Sequence, residues 1–445
     1  MPAPLHSIRQ PFVHHLLKTM AHGGCCALYG LSNTGKSPLL RALPAPEHTA
    51  QYAQLAGRPG ALIYIDCNRA VELTVPGFLE VVARSMLEAL EEDSAAPASP
   101  TLLQHLQEQH TLITTAASPF QASLTFNSAI SECCALLGRD LILLLDEFDE
   151  VYTTLEDRTL LNLRALKDKF RARLAYVTAT VRPLTDSSLR GENEFTELFN
   201  TNLLSLGPLS EADAQIIIDE AGGGSLPAEL RQTVIRAAGG HFGLLNALTA
   251  AAYRHPQSPT ADPNVRAECL KIWNQLRPEE QAALRALATE SEPDGLNPFD
   301  REHLHAFGLV DDNGQVFSEL FTAFIRRQNT APEMETLGVR VDEDAGEVWV
   351  DGVKITVLTD LEYRLMRLLH QRVDRLTTKE MIVEAVWGGQ YLDRMDDARI
   401  EKLVSRLRAK IEPDPLHPRY LLTQRGRGYK LVSRPAEARP EDEEA

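Results

Sequence analysis

Residues Gly30 to Ser37 read Gly-Leu-Ser-Asn-Thr-Gly-Lys-Ser, a complete GxxxxGK[ST] spacing. The glycines let the backbone turn so that its N–H groups converge on a phosphate. Lys36 can then reach the β and γ oxygens, and Ser37 offers a hydroxyl to a divalent cation. Cys25 to Tyr29 is an apolar run suited to a buried parallel strand, and Pro38 to Leu43 reads as the following helix. Strand, loop and helix in that order imply an α/β core. Gly30, Asn33, Thr34, Gly35, Lys36 and Ser37 should then lie at the C-terminal edge of a parallel sheet.

The segment Leu141-Ile-Leu-Leu-Leu-Asp146-Glu147-Phe-Asp149-Glu150 supplies the acidic counterpart. Five consecutive aliphatics make a central strand with no polar face, so the acids can emerge only at its C-terminal end. Ligands of open α/β sheets bind at that edge, which should bring Asp146 to the loop. Asp146 and Ser37 are expected to hold Mg²⁺, and Glu147 to polarise an attacking water. A bare solvated charge is the alternative reading of Glu147. Asp149 and Glu150 suit the cap or flank of the next helix.

Ala61–Asp66 and Leu174–Thr180 read as two more strands. The stretch from Pro76 to Gly138 is helical, interrupted at Ser94 to Pro100. With a strand between the loop and the Asp-Glu strand, the chain resembles the additional-strand P-loop ATPases. That resemblance implies ATP and Mg²⁺ as ligands, with Lys36 and Glu147 in catalytic roles. It also assigns Arg182, after the third strand, to a sensor or arginine finger for the γ-phosphate; read alone, Arg182 equally suits pairing with an acid. No NKxD-like string follows the acidic strand, so guanine is not the expected base.

From Leu203 the pattern becomes helical at 3–4 spacing, with Ser210 placed to cap a helix over Glu211–Ile218. Helical runs follow at Leu226–Ile235 and Gly239–Leu245. This part resembles the helical lid of the STAND class of signal-transduction ATPases. Their Gly-x-Pro element would fall at Gly240-His241-Phe242, with Phe in place of Pro. Ile272-Trp273, Leu276 to Leu287 and Phe307 to Val310 resemble the winged helix that follows in the same class. The expected organisation is a P-loop core over 1–205, a lid over 206–260 and a winged-helix-like middle domain over 261–330.

Formal net charge is −17, yet Arg399 to Arg434 holds ten Lys/Arg against three Asp/Glu, a local +7 on a remainder of −24. A basic patch on an acidic body is the footprint of a localised DNA contact. Val348 to Gly352, Leu358 to Glu362, Arg399 to Lys410 and Leu422 to Tyr429 together resemble the effector domain of OmpR/PhoB-type response regulators, over 336–433. Thr359 with Glu362 forms a capping box. Ile400, Leu403, Val404, Leu407 and Ile411 make one apolar stripe, leaving Arg399, Lys402, Arg406 and Lys410 for a groove of duplex DNA. The hairpin from Tyr420 to Leu431 would add Thr423, Arg425 and Arg427. Gln424 and Arg427 stand where the family is usually apolar. Arg408 is expected to meet an acid or a phosphate. Residues 434–445 form an acidic tail.

No apolar run approaches the roughly 18 residues of a membrane span. The first residues lack a basic-then-apolar signal pattern, and the six cysteines fall mostly in apolar segments; a cytoplasmic protein with reduced thiols is expected. No receiver-like pattern precedes Gly338, and no 34- or 40-residue repeat is visible. The resulting expectation is a multidomain α/β P-loop NTPase acting as an ATP-dependent, nucleotide-switched transcription regulator. It would hydrolyse ATP slowly, bind double-stranded DNA and self-associate on DNA or on ATP binding, its input signal being an unread ligand or protein. The alternative is a defence or motor-like STAND ATPase whose winged helices grip protein or non-specific DNA.

Overall fold

The computed structural model describes residues 7–222, 226–289, 298–311, 313–330, 338–342, 347–351, 353–355, 358–388, 397–412, 414–415, 417–424 and 427–432. The chain divides into two compact units, Met1–Arg327 and Gln328–Ala445.

The first unit is built on five parallel strands: β1 (Cys26–Tyr29), β2 (Gly60–Asp66), β3 (Asp140–Asp146), β4 (Leu174–Thr180) and β5 (Leu203–Ser205). Their order is β2-β3-β4-β1-β5. Every residue of β3 and β4 is buried. Along β3, Leu141, Leu143 and Leu145 enter the core on one face of the sheet, while Ile142 and Leu144 enter the core on the other. Burial of each aliphatic is worth roughly 1.5–3 kcal/mol, so a strand covered on both faces has no position for a charge between its two ends. The strand that separates loop and acids in sequence, β2, lies at the sheet edge. The strand interposed in space is β4, whose Val177 is in register with Cys26 on one side and Leu144 on the other. The additional-strand architecture therefore holds, through a different strand from the one the chain order suggests.

Three of the helices around the sheet carry a hydroxyl cap next to a proline in the first turn. They are α4 (Val75–Glu92), α5 (Pro100–Thr114) and α6 (Pro119–Leu136), capped by Thr74, Ser99 and Ser118. The Ser118-Pro119 pair explains a second break in the helical stretch beyond the one at 94–100. Helices α1 (Gln10–Ala21), α2 (Lys36–Ala42) and α3 (Pro46–Ala56) supply the opposite face, and α7 (Asp149–Thr154) and α8 (Asp157–Phe170) follow the acids. All six cysteines are buried.

Beyond β5 come α9 (Glu211–Gly222), α10 (Ala228–Ala238), α11 (Phe242–Arg254), α12 (Pro263–Asn274), α13 (Pro278–Ala288), α14 (Pro298–Ala306) and α15 (Glu319–Thr330). Ser210 caps α9 by accepting the Asp213 N–H at 3.1 Å. The stretches expected as lid and middle domain share one hydrophobic core: Ile218, Val234 and Leu248 pack in the same cluster as Trp273, Leu284 and Phe321. An antiparallel bridge, Val310 to Val316, closes the turn before α15.

The second unit has an antiparallel sheet of β6 (Val339–Asp342), β7 (Glu347–Val350) and β8 (Val353–Lys354). Three helices follow, α16 (Asp360–Gln371), α17 (Lys379–Trp387) and α18 (Asp397–Ile411), then the hairpin β9 (Leu421–Gln424) and β10 (Gly428–Leu431). The Thr359 N–H donates to Glu362 Oε2 at 2.8 Å, as the capping box requires. Ile400, Leu403, Val404, Leu407 and Ile411 join Leu365, Ile382 and Tyr420 in the core. Gly428 sits at φ 131°, and a Cβ there would lie 2.2 Å from the Thr377 carbonyl, so only glycine lets the hairpin close on the Thr377–Tyr429 bridge.

His241 shows how tightly the lid is packed. Its Nδ1 caps α11 by accepting the Leu244 N–H at 3.2 Å, which leaves the proton on Nε2. That N–H is buried and has no hydrogen-bond partner among the described residues. Burial, reinforced by Lys36 and Arg9, pushes the imidazole down from 6.5 to about 4. The neutral ring is the folded form, so its contribution is full above pH 6.5 and is lost as pH falls towards 4. Between pH 7 and pH 5 this one group should cost about 2 kcal/mol of stability. His241→Asn, which keeps a capping acceptor, should flatten that part of a urea-denaturation pH profile.

Candidate functional site

The phosphate-type loop leaves β1 at Gly30 and enters α2 at Lys36. Two of its residues have left-handed backbone, Asn33 at φ 63° and Gly35 at φ 100°. A Cβ on Gly35 would press on the Phe242 ring at 3.3 Å, so lid and loop meet without space for a side chain. Lys36 is buried and turned into its own loop, its Nζ donating to the Gly30 and Leu31 carbonyls, the latter at 3.0 Å. Burial lowers its pKa, with Asp149, Glu147 and Asp146 opposing. An ammonium satisfied only by carbonyls and facing three carboxylates is available to an anion.

The acids stand at the end of β3, as the all-apolar strand demands. Asp146 is 1 % exposed and both of its oxygens are held. Oδ1 accepts the Glu147 N–H at 3.1 Å, and Oδ2 accepts the Tyr64 hydroxyl at 2.8 Å. Glu147 has left-handed backbone at φ 52°, an uncommon state for a non-glycine, and its Oε1 lies 3.5 Å from Ser37 Oγ. Burial, then the neighbouring Asp146 charge, raises the Glu147 pKa and with it the basicity of the carboxylate. Asp149 begins α7, and its Oδ1 accepts the Val181 N–H at 2.8 Å, tying that helix to the end of β4. Loop, Ser37 hydroxyl and Asp146–Glu147 thus converge on one edge, a donor set of hard oxygens that suits Mg²⁺ beside a phosphate chain.

Arg182 follows β4 and is 7 % exposed. Its guanidinium is engaged: Nη1 and Nη2 grip the Glu280 carboxylate, the second at 2.7 Å, and Nη2 also donates to the Gln275 carbonyl at 3.0 Å. The Phe307 ring lies 4.8 Å beneath it. Of the two readings the sequence allows, pairing with an acid is the arrangement present, and the acid is buried in α13. Burial raises the Glu280 carboxyl, but the Arg182 guanidinium and the Arg277 N–H hold it below its ordinary value. Arg277 in turn reaches Asp186 at 2.6 Å.

Other contributors carry no sequence motif. Asn33 Nδ2 donates to Glu268 Oε1 of α12 at 2.8 Å, and the Ser32 N–H donates to Gln275 Oε1 at 2.6 Å. Arg9 donates to the Gly207 carbonyl at 2.6 Å and the Thr34 carbonyl at 3.3 Å. A cavity beside the loop is lined by Ile8, Val13, Pro38, Leu39, Leu209 and Phe242, with Arg9 at its rim. Phe242, standing where the STAND pattern has proline, is a wall of that cavity.

In the second unit Arg399, Lys402 and Arg406 are exposed on α18, opposite the buried stripe. Lys410 is committed within the domain: its Nζ donates to Glu362 Oε2 at 2.6 Å. Among the described residues Arg408 forms no hydrogen bond to an acid. It donates to the Leu421 carbonyl at 2.6 Å and to Thr423 Oγ1 at 2.8 Å, pinning the hairpin to the helix. Arg427 is exposed at the hairpin turn. Arg425 and the acidic tail lie outside the described residues. Among the described residues no helix is long and apolar enough to cross a membrane.

Two family models match. Novel STAND NTPase 1 covers residues 4–290, and Transcriptional regulatory protein, C terminal covers 354–431. Among curated proteins, the uncharacterized transcriptional regulatory protein YrkP of Bacillus subtilis is 34% identical over 137 residues, 30% of this chain and 55% of that protein. The DNA-binding response regulator MtrA of Mycolicibacterium smegmatis is 39% identical over 110 residues, 24% of this chain and 47% of that protein. The chain therefore spans about half the length of these relatives. Among solved structures, the Walker-type ATPase of Pyrococcus abyssi aligns with 72% of this chain and 96% of its own, at 16% identity and a TM-score of 0.48. The first unit's loop, acids and lid and the match over 4–290 agree, and the chain belongs to the novel STAND NTPase 1 family, carrying a C-terminal winged helix of the OmpR/PhoB type.

Proposed function

We propose that the chain is a transcription regulator whose DNA engagement is governed by ATP and Mg²⁺ at the loop. The observation that carries this reading is the direct bonding of α12 to the loop, through Asn33 to Glu268 and Ser32 to Gln275. A phosphate chain added beside Asn33 brings negative charge towards the Glu268 carboxylate and competes for loop donors now spent on α12. Phosphate occupancy and the packing of the middle helices are therefore energetically linked.

In this reading Lys36 turns from the Gly30 and Leu31 carbonyls to the β and γ oxygens. Ser37 and Asp146 hold Mg²⁺, which supplies charge neutralisation across the phosphates. Glu147 orients the attacking water and accepts its proton, a role its raised basicity serves. The base occupies the cavity walled by Phe242 and Leu209. Arg182 becomes available to the γ-phosphate only if it leaves Glu280, so hydrolysis is slow and tied to movement of α13. In the second unit Arg399, Lys402 and Arg406 enter the major groove, and Arg427 with Thr423 and Arg425 of the wing meets the backbone.

The deciding experiment compares binding of the full chain to DNA upstream of its own gene in ADP and in a non-hydrolysable ATP analogue. Different affinities or footprints are expected; identical ones refute the switch. Lys36→Ala should lose nucleotide, and Glu147→Gln should bind ATP yet turn it over at least 100-fold more slowly, read by single-turnover phosphate release. Removing Glu280 strands a buried guanidinium, so Glu280→Ala should lower stability by about 3–5 kcal/mol in chemical denaturation. Lys402→Ala and Arg406→Ala should each weaken DNA binding and reduce the salt slope by about one. Lys410→Ala should instead lower stability, since its charge is spent on Glu362.

A further inference from the structure

The orientation of Asp146 is set from behind, by side chains that no motif contains. Tyr64 lies on β2, in register with Leu144 and two residues below the level shared by Asp66 and Asp146. Its ring is half-buried among residues on the α2 side of the sheet, and its hydroxyl reaches up to Asp146 Oδ2 at 2.8 Å. The same phenolic oxygen accepts Arg41 Nε at 2.9 Å, and the Arg41 guanidinium lies 5.2 Å from the centre of the Tyr64 ring. A second arm of Arg41 reaches Asp66 Oδ2 at 3.6 Å. Because the phenol already receives a bond from Arg41, its single proton points at Asp146.

Arg41 is four residues after Ser37 on α2, one turn along the same helix face. The helix that carries the Ser37 hydroxyl thus also carries the cation that fixes Tyr64. The other Asp146 oxygen is held by the Glu147 N–H at 3.1 Å. Each oxygen of the carboxylate thus receives one donor, which restricts its rotation.

We propose that Tyr64, backed by Arg41, is the positioning residue that orients Asp146 for Mg²⁺, so that the metal is held through a chain running from α2 across β2 to β3. This rests on the assignment of Asp146 to the metal made above. A hydrogen bond from a fixed donor restricts the rotation of a ligating carboxylate, and losing such a partner typically weakens metal binding 10- to 100-fold.

The molecule contains a matched control. At the opposite end of β3, the Tyr52 hydroxyl donates to Asp140 Oδ2 at 2.7 Å, a buried Tyr–Asp bond remote from the loop. The test titrates Mg²⁺ against fluorescent-ATP binding to the full chain, with a parallel series in EDTA. Tyr64→Phe should raise the half-saturating Mg²⁺ about 10-fold, leave binding in EDTA unchanged, and recover its kcat at saturating Mg²⁺. Arg41→Met should shift the curve the same way by less. Tyr52→Phe should lower the melting temperature comparably and leave the Mg²⁺ curve in place. A Tyr64→Phe curve that superimposes on that of wild type or of Tyr52→Phe overturns the proposal. Asp146→Asn separates the two levels of argument: a shift there without one in Tyr64→Phe refutes the relay alone. No shift in Asp146→Asn refutes the metal assignment and the relay with it.

Discussion

A guanidinium and a carboxylate face each other at the joint between sheet and middle helices, Arg182 at 7 % exposure and Glu280 at 3 %. Moving two charges out of water costs several kcal/mol each, and the cost is recovered only when every arm finds a partner. Here they do. Glu280 also accepts the Arg277 N–H, Arg182 also reaches the Gln275 carbonyl and Phe307, and Arg277 closes the set on Asp186. Half-formed versions would leave a charge buried and unpaired. The joint therefore resists partial opening. Its position follows from topology: β4 is interposed between the loop strand and the acid strand, so whatever grips its end is felt on both sides.

The edge that receives the loop is electrostatically unbalanced. Asp146, Glu147 and Asp149 crowd one cation, Lys36, whose ammonium rests against carbonyls of its own loop. Burial and mutual repulsion raise the Glu147 and Asp149 carboxyls. Such a site is relieved by a divalent cation and by a phosphate chain together, more than by either alone, because each compensates the charge of the other.

What was legible in the sequence was local. The loop, the acids after Leu141–Leu145, the Ser210 cap and the Thr359–Glu362 box each depend on residues within a few positions of one another, and the structure forms them. The missing parts are long-range. Arg182 and its partner are 98 residues apart, and Lys410 and Glu362 are 48 apart. A helical wheel puts Lys410 on the cationic flank of α18, yet cannot see that a buried cap residue of α16 claims it. Arg408 likewise holds a strand carbonyl and a hydroxyl, acceptors that no charge pattern announces. Phe242 looked like a departure from the lid pattern; its reason is steric, a ring seated against a glycine with left-handed backbone.

The burial of every cysteine has a practical corollary. Cys25, Cys26, Cys67, Cys133 and Cys134 line the sheet and its helices, while Cys269 sits in α12 beside Glu268. Burial pushes the Cys26 and Cys269 thiols up to about 12 and the Cys134 thiol to about 11, so the reactive thiolate is scarce in the closed molecule. An alkylating reagent can then modify these sulfurs only when the protein breathes. Cys269 becomes an intrinsic reporter of α12, and the other five form a separate clock for opening of the sheet core.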